Sequence, residues 1–180
     1  MRARAVLIGL VALAVLASLA RYGLRERRPV PGPAAPVDSA QAGVKAVRLY
    51  FGAANGDSLI AEARELVEPA GLHERVAGLV AELDRGPRGR GVAVLPAGTS
   101  VLNVYLDDQG VMTLDLSGAF RQRFRGGSSA EYLAVASLVR TLGANLPETK
   151  RVLIVCAGRP IGTLGGHLAL DRPLDVGDWP

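Results

Sequence analysis

Two short β-rich runs, Val101-Leu-Asn-Val-Tyr-Leu106 and Val111-Met-Thr-Leu-Asp-Leu116, flank the polar turn Asp107-Asp-Gln-Gly110. Strand-forming residues on both sides of a short Gly-containing turn specify an antiparallel hairpin. Met112, Leu114 and Leu116 alternate with Val111, Thr113 and Asp115, so one face of the second strand must be covered, and Asp115 is expected to point outward.

Two amphipathic helices can supply that cover. Leu72, Val76, Leu79, Val80 and Leu83 fall on one helical stripe, ended by Arg85-Gly86-Pro87. Ser128-Ser-Ala-Glu131 reads as a capping box, in which Ser accepts from a helix amide while Glu reaches back. It opens a second stripe of Tyr132, Val135, Ala136, Val139 and Leu142, stopped by Asn145 and Pro147. Further strands are expected at Val44 to Phe51 and at Arg151 to Ala157, the latter as a central strand buried on both sides. Leu59 to Val67, where Leu59, Ala61, Ala63 and Glu65 alternate with Ile60, Glu62, Arg64 and Leu66, reads as a strand or as the start of a helix, with the strand preferred. The order β-β-α-β-β-α-β gives an α+β fold, a small mixed β-sheet with both helices on one face.

Charge divides the chain. From Val44 to Pro180 there are 15 Lys/Arg and 15 Asp/Glu, so the formal net charge of +4 lies wholly before residue 44. A balanced body gives no phosphate-binding face, and no nucleic-acid partner is expected. Before it, Arg2 and Arg4 precede an apolar run from Ala5 to Ala20, the positive-then-apolar order of an export signal. At about 1.5 Å per residue the run spans roughly 24 Å, short of a hydrocarbon core of about 30 Å unless Tyr22 and Leu24 extend it. Residues 1–24 therefore suit a cleaved signal peptide or an N-terminal membrane anchor. The basic stretch Arg21 to Arg28 is unusual for a mature start and favours the anchor. No Cys follows the run to accept a lipid. Residues 25–43, with four prolines between Pro29 and Pro36, read as an extended linker, and residues 44–175 as the folded domain.

Candidate chemistry is sparse. Cys156, the single cysteine, lies inside an apolar strand, where it behaves as a small hydrophobe. His73 and His167 have no partner at ligand spacing. Asp107, Asp108 and Asp115 cluster at the hairpin without the ligand alternation of a calcium loop. The glycine-rich stretches lack phosphate-cradling spacing. No catalytic residue, cofactor or metal site is expected. Arg121, Arg123 and Arg125 occupy every second position, so an extended conformation would set their guanidinium groups on one side, either as a solvated face or as a contact for an anionic partner.

Several short pieces follow one another along the chain: Leu49-Tyr-Phe51 and Arg64, then Leu83-x-x-Gly86-Pro87, Leu95-Pro96-x-Gly98-Thr99, and Asp108-x-Gly110 leading into Leu114-Asp-Leu-Ser117 and Phe120. Arg140-Thr-Leu142 and Val152-x-Ile154-Val155-x-x-Gly158 complete the series. Together they resemble the GerMN domain of the GerM-like sporulation and spore germination family, over roughly Val44 to Pro173. The resemblance implies a fold related to ring-building motifs, an extracytoplasmic location, tethering to the cell membrane, and no known catalytic residue. It implies a non-enzymatic binding or scaffolding module of the envelope, or alternatively an accessory factor that binds peptidoglycan or recruits a hydrolase. The expected partners are an envelope protein or cell-wall polymer, the membrane through the N-terminal segment, and further copies of the chain.

Overall fold

The computed structural model describes residues 43–179. The expected signal or anchor at 1–24 and the linker up to residue 42 lie outside the described residues. The chain forms β1 (Val44–Gly52), β2 (Leu59–Val67), α1 (Leu72–Arg85), β3 (Val101–Leu106), β4 (Val111–Leu116), a short α2 (Ala119–Gln122), α3 (Ser128–Asn145), β5 (Arg151–Cys156), β6 (Arg159–Pro160) and β7 (Leu174–Asp175). The hairpin, the α1 stripe and the bounds of β1 and β5 agree with the patterning to within a residue, because each of these elements is specified by residues close together in the chain. Leu59–Val67, open between strand and helix from its own residues, is a strand paired along its whole length with β1. Among the described residues, no helix is long and apolar enough to cross a membrane.

The strands make two sheets instead of one. β1 and β2 form an antiparallel pair, while a second sheet runs β3-β4-β5-β6 with β7 also on β5. β4 and β5 pair in parallel, joined through α2 and α3. β5 is central as expected, but its burial alternates instead of being complete on both faces. Asp107 builds the β3–β4 turn by accepting from the amides of Gln109 (3.0 Å) and Val111 (2.7 Å). Gly110 there has φ +77°, and a Cβ would come within 2.9 Å of the Glu148 carbonyl, so both conformation and space demand glycine.

The division into two sheets has a polar cause. β1 turns the amide of Tyr50 toward Thr141 Oγ1 (3.1 Å), and the Tyr50 carbonyl accepts from Ser137 Oγ (2.6 Å). One step along, Asn145 accepts from the Arg48 amide (2.9 Å) and donates to its carbonyl (2.7 Å). Ser137, Thr141 and Asn145 stand four residues apart on α3, so one helical row takes the place of a neighbouring strand along this edge. Buried on nearly all sides, α3 is not the one-stripe helix its sequence suggested, although Tyr132 remains partly exposed and stacks on Trp179 at 5.1 Å. Leu49 and Phe51 of β1, Val80 of α1, Leu114 of β4, Leu138 of α3 and Ile154 of β5 share one core. Thr141→Val keeps the shape but strips the Tyr50 amide of its acceptor. A loss of about 1.5 kcal/mol is expected, read as a lower urea midpoint and faster hydrogen exchange at Tyr50.

Candidate functional site

The segment after α1 is held at both ends by backbone bonds. Val92 bridges to Gly52 of β1 through reciprocal amide–carbonyl bonds of 3.0 and 2.7 Å. Asp84, near the end of α1, accepts from the amides of Gly98 (2.7 Å) and Thr99 (3.2 Å), and Thr99 Oγ1 donates to the Pro96 carbonyl (2.5 Å). These contacts give Leu95-Pro96-x-Gly98-Thr99 its physical role: it is a loop clamped to the end of a helix. Opposite the loop, Phe120 anchors α2 in the core.

Between this loop, the turn after β1, and the segment that leads from α2 into α3 lies an open groove of about 540 Å³, lined by Val92, Val94, Pro96, Arg123, Phe124 and Arg125 among others. Arg123 donates to the Ala97 carbonyl (3.1 Å), and Arg125 donates to the carbonyls of Gln122 (2.9 Å) and Phe124 (2.6 Å). These bonds hold both side chains in place, yet a guanidinium has further donors to offer a ligand. The extended geometry expected of Arg121, Arg123 and Arg125 is not what forms. Arg121 belongs to a helical turn and Arg123 has helical dihedrals (φ −99°, ψ −3°), so side chains two residues apart diverge. Arg123 and Arg125 line the groove, and Arg121 is not among the residues lining it.

The remaining candidates are scattered. Cys156 is buried in β5 with its thiol donating to the Ser117 carbonyl (3.3 Å). His73 is exposed on α1, and among the described residues no group of His, Cys, Asp and Glu could hold a metal ion. Asp115 does not point outward: it is buried, accepting from the Gly158 amide (2.9 Å) and from Asn103 Nδ2 (3.4 Å), because the chain turns back over the end of β4.

Two clasps were not foreseen from the sequence. Glu131 does not close a capping box. Its carboxylate, with no solvent exposure, accepts from the amides of Leu164 (2.8 Å), Gly165 (2.8 Å) and His167 (2.9 Å), and meets His167 Nδ1 at 3.1 Å. Burial alone would raise its pKa, but the amides of Gly165, His167, Leu164 and Leu168 together bring it below the ordinary value. Gly165-Gly-His167 was the available signal, since glycines let a backbone come close to a carboxylate. In the second clasp, Arg64 of β2 is buried and its guanidinium donates to Glu82 (2.5 Å), to Glu62 (2.7 Å) and to the Gly86 carbonyl (2.8 Å), lying over the Phe51 ring at 5.2 Å. Glu62 in turn accepts from the amides of Arg88 and Gly89. Desolvation opposes ionisation of Glu62 and Glu82, but Arg64 beside them, with backbone amides at Glu62 and Arg85 at Glu82, carries both below the usual carboxylate range.

Residues 48–162 match the family described as Germane: Sporulation and spore germination. No curated protein matches the sequence. Among solved structures, the tandem GerMN domains of the sporulation protein GerM from Bacillus subtilis superpose with a TM-score of 0.59 at 19% identity, over 76% of this chain and 48% of that one. The first GerMN domain of the same protein gives 0.58 at 23% identity, over 73% and 97%. A candidate lipoprotein from Clostridium perfringens gives 0.53 at 20% identity, over 76% and 90%. At these identities the likeness is one of fold.

Proposed function

The chain belongs to the Germane family of sporulation and spore germination domains, and from that premise we propose that it is a non-enzymatic binding module of the bacterial envelope, held on the extracytoplasmic side by its N-terminal segment. The family is not a known enzyme family. One observation carries the reading: the buried acids Glu82, Glu131 and Asp115 are turned onto the protein's own cations and amides, whereas Arg123 and Arg125 flank an open, largely apolar groove. Acids committed to structure do not offer proton transfer, but guanidinium groups beside an apolar wall suit an anionic envelope partner, either an acidic protein surface or wall polymer.

Replacing Arg121, Arg123 and Arg125 together with Ser is the direct test, using the full chain with purified envelope material or peptidoglycan at several salt concentrations. Binding is expected to fall about tenfold, which corresponds to about 1.4 kcal/mol, and to become less sensitive to salt. Because these side chains are exposed, the melting temperature is expected to move by only about 2 °C. Unchanged binding to both materials would remove the groove from the reading.

A further inference from the structure

The two edges of the β1–β2 pair are treated very differently. On β1, the outward groups of Arg48 and Tyr50 are taken by α3 side chains, and those of Gly52 by Val92. On β2, the ladder can be followed from one end to the other. Ala53 donates to the Ser58 carbonyl at the turn, and Glu68 donates to the Gly43 carbonyl at the open end. With the register Phe51 to Ile60 and Val47 to Arg64 between them, hydrogen-bonded and open pairs alternate strictly. Leu59, Ala61, Ala63, Glu65 and Val67 therefore direct their amides and carbonyls away from β1. Among the described residues no strand pairs with that edge.

A nine-residue edge without Pro, Lys or bulge is a template for another strand. Its sequence also matches itself. When two copies run antiparallel about Ala63, Ala63 faces Ala63, Ala61 faces Glu65, and Leu59 faces Val67. On the side toward α1, Ile60 faces Leu66 and Glu62 faces Arg64. Apolar residues meet apolar ones at both ends, and no like charges face each other. The same register covers Ile60 and Val67, which are 38% and 62% exposed. Ile60 of the second copy would arrive at the rim of a groove of about 230 Å³ lined by Val47, Leu66, Val67, Pro69 and Leu79, among others. From these observations we propose that the outer edge of β2 is a two-fold self-association surface, on which a second copy of this chain pairs antiparallel with its register centred on Ala63.

A central pair of this kind brings two Cα atoms to about 5.5 Å, inside the roughly 4.4–6.8 Å that a disulfide bridges. Ala61 and its counterpart, four residues out of step, would be roughly 14 Å apart at about 3.4 Å per residue. The experiment uses the full-length chain in detergent micelles, with buried Cys156 changed to Ala to remove background. Under mild oxidation Ala63→Cys is expected to give at least fivefold more cross-linked dimer than Ala61→Cys, although both positions are exposed. Ala63→Lys sets two ammonium groups against each other only in the paired state. It is expected to halve the sedimenting mass of the protein while the chain stays folded, its melting temperature no longer depending on protein concentration. Equal cross-linking at both positions, a wild-type chain that sediments as a monomer throughout, or a Lys variant that keeps the dimer mass would each overturn the proposal.

Discussion

Replacing Arg64 with Ala is expected to destabilise the domain by about 3–4 kcal/mol, because removal of one member of a buried ion network leaves its partners uncompensated. Arg64 is 5% exposed and ties β2 to Glu82 within α1 and to the Gly86 carbonyl just after it. Losing it takes the cation from Glu62, which keeps only the amides of Arg88 and Gly89, removes the donor from the Gly86 carbonyl, and uncovers the Phe51 ring. Arg85 and Arg88 still reach Glu82, which keeps the loss toward the lower end of the range for buried pairs. At roughly 2–4 °C per kcal/mol for a chain of this size, the melting temperature should drop by about 10 °C. Arg64→Met separates the causes, since it retains the apolar stem over Phe51 while removing the charge. A change below about 1 kcal/mol in both variants, measured by urea unfolding of the full chain, would mean that Arg64 acts as a surface ion pair and not as the pin that joins strand to helix.

Glu131→Gln is the second large effect, and its signature is in pH. Gln is nearly isosteric, but its amide nitrogen carries protons where Glu131 accepts from Leu164, Gly165 and His167. One carboxylate oxygen can be imitated and the other cannot, so a loss of about 3 kcal/mol is expected at neutral pH. The wild-type pH dependence follows from the lowered pKa. The folded state binds its proton less readily than the unfolded chain, whose ordinary value is 4.5, so the stabilisation is present above that value and is lost as pH falls through the folded-state pKa. Glu62 and Glu82 act in the same direction. The Gln variant should therefore be weakened most at neutral pH, and its deficit against wild type should close as pH falls below about 4.5. A deficit of constant size from pH 7 to pH 3 would show that packing, and not the carboxylate, holds residues 164–167.

The two clasps also clarify the short pieces on which the family resemblance rests. Arg64 needs Glu82 and the Gly86 turn; Asp84 needs Gly98 and Thr99; and Gly110 makes room for the Glu148 carbonyl beside it. Each piece is one half of a tertiary contact. Read singly they are weak signals, and read in order they report contacts that tie β2 to α1, α1 to the following loop, and the hairpin to the segment before β5.

What the amino-acid pattern determined by itself was local. The β3–β4 hairpin, the stripe of α1 and its end at Gly86-Pro87, and the extent of β1 are decided by residues within a few positions of one another, where periodicity and turn chemistry act, whereas Leu59–Val67 allowed strand or helix and is a strand through its pairing with β1. Tertiary structure decided the rest. Glu131 could cap its own helix or bind a loop some 33 residues onward, and it binds the loop because three amides converge there. The edge of β1 is closed by Asn145, 97 residues away from Arg48, so the expected single sheet becomes two. Arg123 and Arg125 flank a groove only because α2 replaces the expected extended run. Hydrogen-bond partners far apart in the chain are selected by packing in three dimensions, and no local period encodes which donor will meet which acceptor.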